Sequence, residues 1–64
     1  MTDFEVFIDD DRYQVPSLYL ISACSEARAR VLADEIWRAS DHHLRVELRR
    51  MGGDAVHIRG ALAA

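Results

Sequence analysis

A chain of 64 residues, half of them apolar and with a net charge of −3, is expected to form one small globular domain. The acidic balance argues against a nucleic-acid-binding module, because phosphate binding depends mainly on surplus positive charge, and the single cysteine excludes an intrachain disulfide. A core of this size supplies roughly 3–5 kcal/mol of net stability, so a partner subunit is the expected supplement.

Alternating apolar and polar residues predict a first strand over residues 3–9. Side chains at every second position are apolar, which is typical of a strand with one buried face. The expected buried positions are Phe4, Val6 and Ile8. Three aspartates at residues 9–11 follow, and they predict a solvated turn because aspartate hydrogen-bonds its own backbone and adjacent carboxylates repel each other.

A second strand is predicted over residues 13–22. Pro16 has no N–H to donate to a neighbouring strand, so this strand is expected at an edge of the sheet. The alternation within it assigns Leu18 and Leu20 to the buried face of the sheet and Tyr19 and Ile21 to the opposite face.

The middle of the chain has the periodicity of an amphipathic helix. Ser25 can cap its first turn, and Glu26 lies favourably near the positive end of the helix dipole. Small and apolar side chains recur every three or four residues on the side that should cover the sheet. They are Ala29, Leu32, Ala33, Ile36 and Ser40. The outer side is expected to carry the ion pairs Glu26–Arg30 and Asp34–Arg38, each worth about 0.2–0.5 kcal/mol.

Two further strands are predicted after the helix. Their apolar positions are Leu44, Val46 and Leu48 in the third strand and Val56 and Ile58 in the fourth. The intervening Gly52 and Gly53 predict a tight hairpin turn, because glycine permits positive φ angles. Residues 60–64 are expected to form a flexible tail.

This order of elements predicts an α+β fold, ββαββ, with one helix on one face of a four-stranded, mainly antiparallel sheet. The strand order 2-1-3-4 is preferred over 1-2-3-4. It makes every neighbouring pair antiparallel, leaves Pro16 at an edge and places the first strand in the centre.

The sheet face that the helix leaves uncovered is the candidate functional surface. Such a face is usually polar, yet this one is expected to expose Phe7, Val15, Tyr19 and Ile21. Together they approach the roughly 300–600 Å² of the largest apolar patch on a typical monomer. We expect a contact surface, most simply for a second copy of the chain. The alternative is ordinary cross-strand packing of half-exposed side chains.

Signals for catalysis or metal binding are weaker. Cys24 precedes the helix without a neighbouring base, so a small buried side chain is favoured over a reactive thiol. His42 and His43 follow the helix, where positive charge is favourable, and His57 would add only one more metal ligand. The aspartates at residues 9–11 lack the spacing of a calcium loop. No metal or cofactor is therefore expected.

The sequence thus favours a non-enzymatic interaction or accessory module that forms a homodimer. The alternative is an enzyme subunit or small-ligand binder whose site forms between subunits around His57, Arg45 and Arg59. A cytoplasmic location without membrane binding is expected. The acidic N-terminus does not resemble a signal peptide, and no run approaches the roughly 20 apolar residues of a membrane span.

Overall fold

A computed structural model describes residues 1–60 of the chain. The elements are β1 (Thr2–Asp10), β2 (Ser17–Ala23), α1 (Glu26–Arg38), β3 (His43–Arg50) and β4 (Ala55–Gly60). The strands form one antiparallel sheet in the order β2-β1-β3-β4. The predicted α+β fold and the preferred strand order are confirmed. Of the expected tail, Gly60 is the last residue of β4, and residues 61–64 lie outside the described residues.

The core lies between α1 and the two central strands. Ala29 and Ala33 are fully buried on α1, and their small side chains let the helix approach the sheet closely. The other buried apolar side chains come from the sheet. They are Phe4, Val6, Ile8, Ala23, Val46 and Leu48. Leu32, Ile36 and Trp37 are partly buried around this core, so the predicted apolar side of the helix is confirmed.

Side-chain interactions fix both the start of α1 and its position on the sheet. The Ser25 hydroxyl caps the helix by accepting the backbone N–H of Arg28 at 3.1 Å. Glu26 accepts from Arg30 at 2.9 Å, as predicted, and from Arg50 of β3 at 2.8 Å. Arg50 first and Arg30 second hold the pKa of Glu26 below its usual value, although desolvation opposes them.

The acidic residues 9–11 differ from the predicted solvated turn. β1 continues through Asp10, whose carboxylate is buried. Arg12 donates to that carboxylate through its backbone N–H and its guanidinium at 2.7–3.0 Å, and His43 Nε2 lies 3.6 Å away. These contacts, led by those of Arg12, hold the pKa of Asp10 well below its usual range despite desolvation. An ion pair therefore replaces the water that the sequence pattern led us to expect.

Glycines lie in the turn of the second hairpin and at the end of β4. Gly52 has φ 69°, and the N–H of Gly53 donates to the carbonyl of Arg50 at 2.8 Å, which confirms the predicted turn. Gly60 has φ 96° and lies against β3, where an added Cβ would come within 2.3 Å of the Leu44 carbonyl oxygen. Only glycine fits that position without moving the backbone.

Candidate interaction surface

The register of β2 reverses the predicted assignment of its two faces. Residues directly opposite each other in an antiparallel pair project to the same side of the sheet. Ile21 lies opposite the buried Phe4, and Tyr19 lies opposite the buried Val6. The prediction that Tyr19 and Ile21 lie on the open face is therefore wrong, because both project to the side that α1 covers.

Ala23 gives the physical reason for this register. It is buried at the end of β2, on the same side of the strand as Ile21. A small side chain is suited to this place, where the chain leaves the sheet and turns into α1. Because side chains alternate along a strand, Leu18 and Leu20 must then face away from the helix. Both sets of alternate positions in β2 carry apolar side chains, so the sequence pattern alone does not show which set faces the helix.

The open face carries a run of apolar side chains, but not the one that was predicted. Leu18 is 51% exposed and Leu20 is 68% exposed. Phe7 of β1 lies directly opposite Leu18 and is partly buried. We call Phe7, Leu18 and Leu20 the apolar strip. Val15 is exposed but precedes β2, so of the four predicted contact residues only Phe7 belongs to the strip.

The faces of β4 are also opposite to those predicted. His57 lies opposite the buried Leu48, and Arg59 lies opposite the buried Val46, so both side chains project towards the helix. Ile58 instead projects from the open face and is half exposed. Val56 lies at the irregularity in the pairing of β3 with β4, and it packs against the core as predicted.

Asp34 of the helix explains the orientation of β4. His57 Nε2 lies 3.0 Å from one oxygen of its carboxylate, and Arg59 donates to the other at 3.3 Å. The Arg59 guanidinium also lies 5.4 Å from the centre of the Trp37 ring. Desolvation raises the pKa of Asp34, but the two basic partners outweigh it and bring the pKa below its usual value. The predicted partner, Arg38, does not take part in this group of interactions.

The three residues of the alternative site, which was expected between subunits, lie on two different faces of the protomer. His57 and Arg59 bind the helix, whereas Arg45 lies opposite Asp9 on the other face of the sheet. The sequence analysis did not predict that these residues lie on different faces, because it assigned every polar position of the strands to solvent. A carboxylate on the helix can hold basic side chains on the covered face.

The charges beside the apolar strip are paired within the protomer. Arg45 donates to Glu47 at 3.0 Å and approaches Asp9 at 3.8 Å. Arg49 donates to the other Glu47 oxygen, and its guanidinium lies 5.7 Å from the centre of the Phe7 ring. Arg49 first and Arg45 second keep the pKa of Glu47 below its usual value, although desolvation opposes them. These groups satisfy one another, so the apolar strip and Glu5, which lies opposite Leu20 and forms no ion pair in residues 1–60, are left unpartnered on this face.

Two surface depressions lie among the described residues, and only the first is lined by a residue of the strip, Phe7. One, of about 370 Å³, is on the open face between Phe7, Pro16 and Arg49. The other, of about 360 Å³, is lined by acidic residues 9–11 together with Tyr13 and Leu44. Both volumes reach the lower end of the range of about 300–1,000 Å³ for small-molecule sites, but both depressions are open to solvent.

The histidines that follow the helix serve the fold. His43 donates through Nδ1 to the carbonyl of Ile36 at 2.9 Å, and His42 Nδ1 lies 2.8 Å from the Asp11 carboxylate. In residues 1–60, no group of three or more His, Cys, Asp or Glu side chains could hold a metal ion. Cys24 is exposed, so the prediction that it is a buried side chain is wrong.

No family model, curated protein or solved structure matches this chain. Within the part of the chain that the structure describes, the helix is too short and too polar to cross a membrane.

Proposed function

We propose that this protein is a non-enzymatic interaction module that self-associates through the open face of its sheet. The exposed apolar strip formed by Phe7, Leu18 and Leu20 carries the proposal. A solvated antiparallel face normally presents polar side chains, whereas here two leucines stand side by side with an aromatic ring. Covering them would also supply apolar contact that so small a domain cannot provide from its own core.

The dimensions of the face favour a flat partner of the same size. Four strands about 4.8 Å apart, with about seven residues of roughly 3.3 Å each, span about 450 Å² in projection. Stable interfaces bury about 800 Å² of accessible surface per partner. A partner must therefore cover nearly the whole face. A second copy offers a sheet face of matching size, and two such faces can stack about 10 Å apart.

The charge distribution also favours a second copy. Asp9, Arg45, Glu47 and Arg49 neutralise one another within each protomer, so these four groups do not require opposite charges from a partner. An apolar strip flanked by paired charges can be covered by the same strip from another chain. Isologous contacts of this kind generate closed dimers.

Leu18→Glu tests the proposal, with Val31→Glu as the matched control. Both leucine and valine are exposed, but Val31 lies on α1, away from the sheet. A glutamate inside the contact would lose water without gaining a partner. We expect Leu18→Glu to weaken self-association at least about tenfold, which corresponds to about 1.4 kcal/mol, and Val31→Glu to leave it unchanged.

Sedimentation velocity across a wide concentration range provides the measurement. Circular dichroism should show that both variants remain folded. Equal weakening by the two substitutions would assign the contact to general surface charge rather than to the open face. A wild-type chain that remains monomeric at every concentration would overturn the proposal.

A further inference from the structure

The backbone of β2 has one outer edge that no strand of residues 1–60 covers. The N–H of Met51 donates to the carbonyl of Asp3 at 3.3 Å, so the backbone of Asp3 is directed towards β3. Backbone groups alternate in direction along an antiparallel strand. The odd-numbered residues of β1 therefore bond β3, and Phe4 and Val6 bond β2.

The same alternation identifies the free groups of β2. Ile21 and Tyr19, which lie opposite Phe4 and Val6, direct their N–H and C=O groups to β1. Leu18, Leu20 and Ser22 then direct theirs outwards. These three residues present an evenly spaced row of backbone donors and acceptors at the edge.

The two edges of the sheet differ in their protection. Natural sheets protect exposed edges with charged side chains, bulges or proline, because unpaired strands recruit other strands. β4 carries His57 and Arg59, and its pairing with β3 is irregular near Leu48. β2 has no charged residue along its whole length and pairs regularly with β1. Its protective feature is Pro16, which lies immediately before the strand.

We propose that β2 pairs antiparallel with β2 of a second copy, so that two protomers share one eight-stranded sheet. This inference rests on the proposed self-association and adds a second contact to it. The edge pairing leaves both open faces on the same side of the shared sheet, so the stacking of open faces would join two such pairs. A two-fold axis at Leu20 overlaps all seven residues of the strand. Leu20 then bonds the partner's Leu20, and Leu18 bonds the partner's Ser22.

Side chains on both faces fit this register. On the helix side, Tyr19 meets the partner's Ile21. The helix packs mainly on β3 and leaves Tyr19 40% exposed, so this space is open. On the open side, Leu20 meets the partner's Leu20, which joins the two apolar strips into one. Without charges on β2, the pairing brings no like charges together.

The choice of a second copy follows from this self-complementarity. Pairing of β2 with β4 of another molecule would set apolar residues against His57 and Arg59 and would propagate without closing. The β2–β2 arrangement closes after two protomers.

Residue-resolved amide hydrogen exchange tests the inference at low and high protein concentration. In the monomer, Tyr19 and Ile21 should be protected while Leu18, Leu20 and Ser22 exchange rapidly. In the assembly, the three outward amides should slow at least tenfold. If the chain assembles but these three amides still exchange rapidly, the edge pairing is wrong while self-association stands. If no assembly forms, both proposals fail.

A pair of variants at Leu20 isolates the backbone contribution. Leu20→Ala and Leu20→Pro both remove the leucine side chain, but only proline also removes the outward N–H, which β1 does not use. We expect the proline variant to associate at least tenfold more weakly than the alanine variant. Equal association of two folded variants would overturn the edge pairing. If Leu20→Pro fails to fold, amide exchange of Leu20→Ala at low and high concentration decides instead. Slowed exchange of the outward amides in the assembly supports the edge pairing, and unchanged rapid exchange overturns it.

Discussion

Truncating one leucine on each side of the sheet provides a direct test of the face assignment. Leu48 is fully buried opposite Val6, whereas Leu20 is largely exposed. Leu48→Ala removes three buried carbon atoms at about 0.8 kcal/mol each. The remaining cavity should raise the loss in unfolding free energy to about 2.7–5 kcal/mol. Leu20→Ala removes the same atoms from solvent and should change the monomer by less than about 0.5 kcal/mol.

Urea denaturation followed by circular dichroism measures both values, at a concentration low enough for the monomer to dominate. A domain of this size has roughly 3–5 kcal/mol available, so Leu48→Ala should be largely unfolded. The milder Ile8→Val, also at a fully buried site, should still fold and lose about 0.5–1.5 kcal/mol. A monomer destabilised as strongly by Leu20→Ala as by Leu48→Ala would refute the register of β2.

Three further substitutions, two of them paired with a control substitution, test the local interactions. Asp10 has a pKa well below the value of about 3.9 in an unfolded chain. The Asp10 carboxylate therefore stabilises the fold at pH values above about 3.9. This stabilisation is lost as the pH falls from there through the lowered pKa. Asp10→Asn should be less stable than wild type at neutral pH and lose less on acidification in thermal melts. Asp34→Asn should speed amide exchange in β4, whereas Arg38→Ala should leave it unchanged. Gly60→Ala should lower the melting temperature more than Gly52→Ala, because only Gly60 meets backbone atoms.

The architecture could be predicted because local signals agreed with one another. The helix periodicity, the capping Ser25 and the glycine turn each specify an element without reference to the rest of the fold. Pro16 then favoured an edge of the sheet for the second strand, and it lies immediately before the first residue of β2. Together these signals were sufficient for the element order and the strand order.

The faces of the two edge strands could not be predicted in the same way. Both alternations of β2 are apolar, and the buried Ala23 that decides between them is visible only in three dimensions. In β4, the orientation depends on Asp34, which lies 23 residues before His57 in the chain. A polar residue bound to a helix has the same sequence pattern as one bound to water. For these reasons Leu18 and Leu20 were assigned to the core rather than to the candidate surface.

Intermolecular contacts at the apolar strip test the central claim most directly. A sample that mixes isotope-labelled and unlabelled protein permits a filtered nuclear Overhauser experiment, which detects only contacts between different chains. If two open faces stack, the methyl groups of Leu18 should give cross-peaks to the Phe7 ring of the other copy. An associated sample with no such cross-peaks, or with cross-peaks only to the outer side of α1, would contradict self-association through the open face.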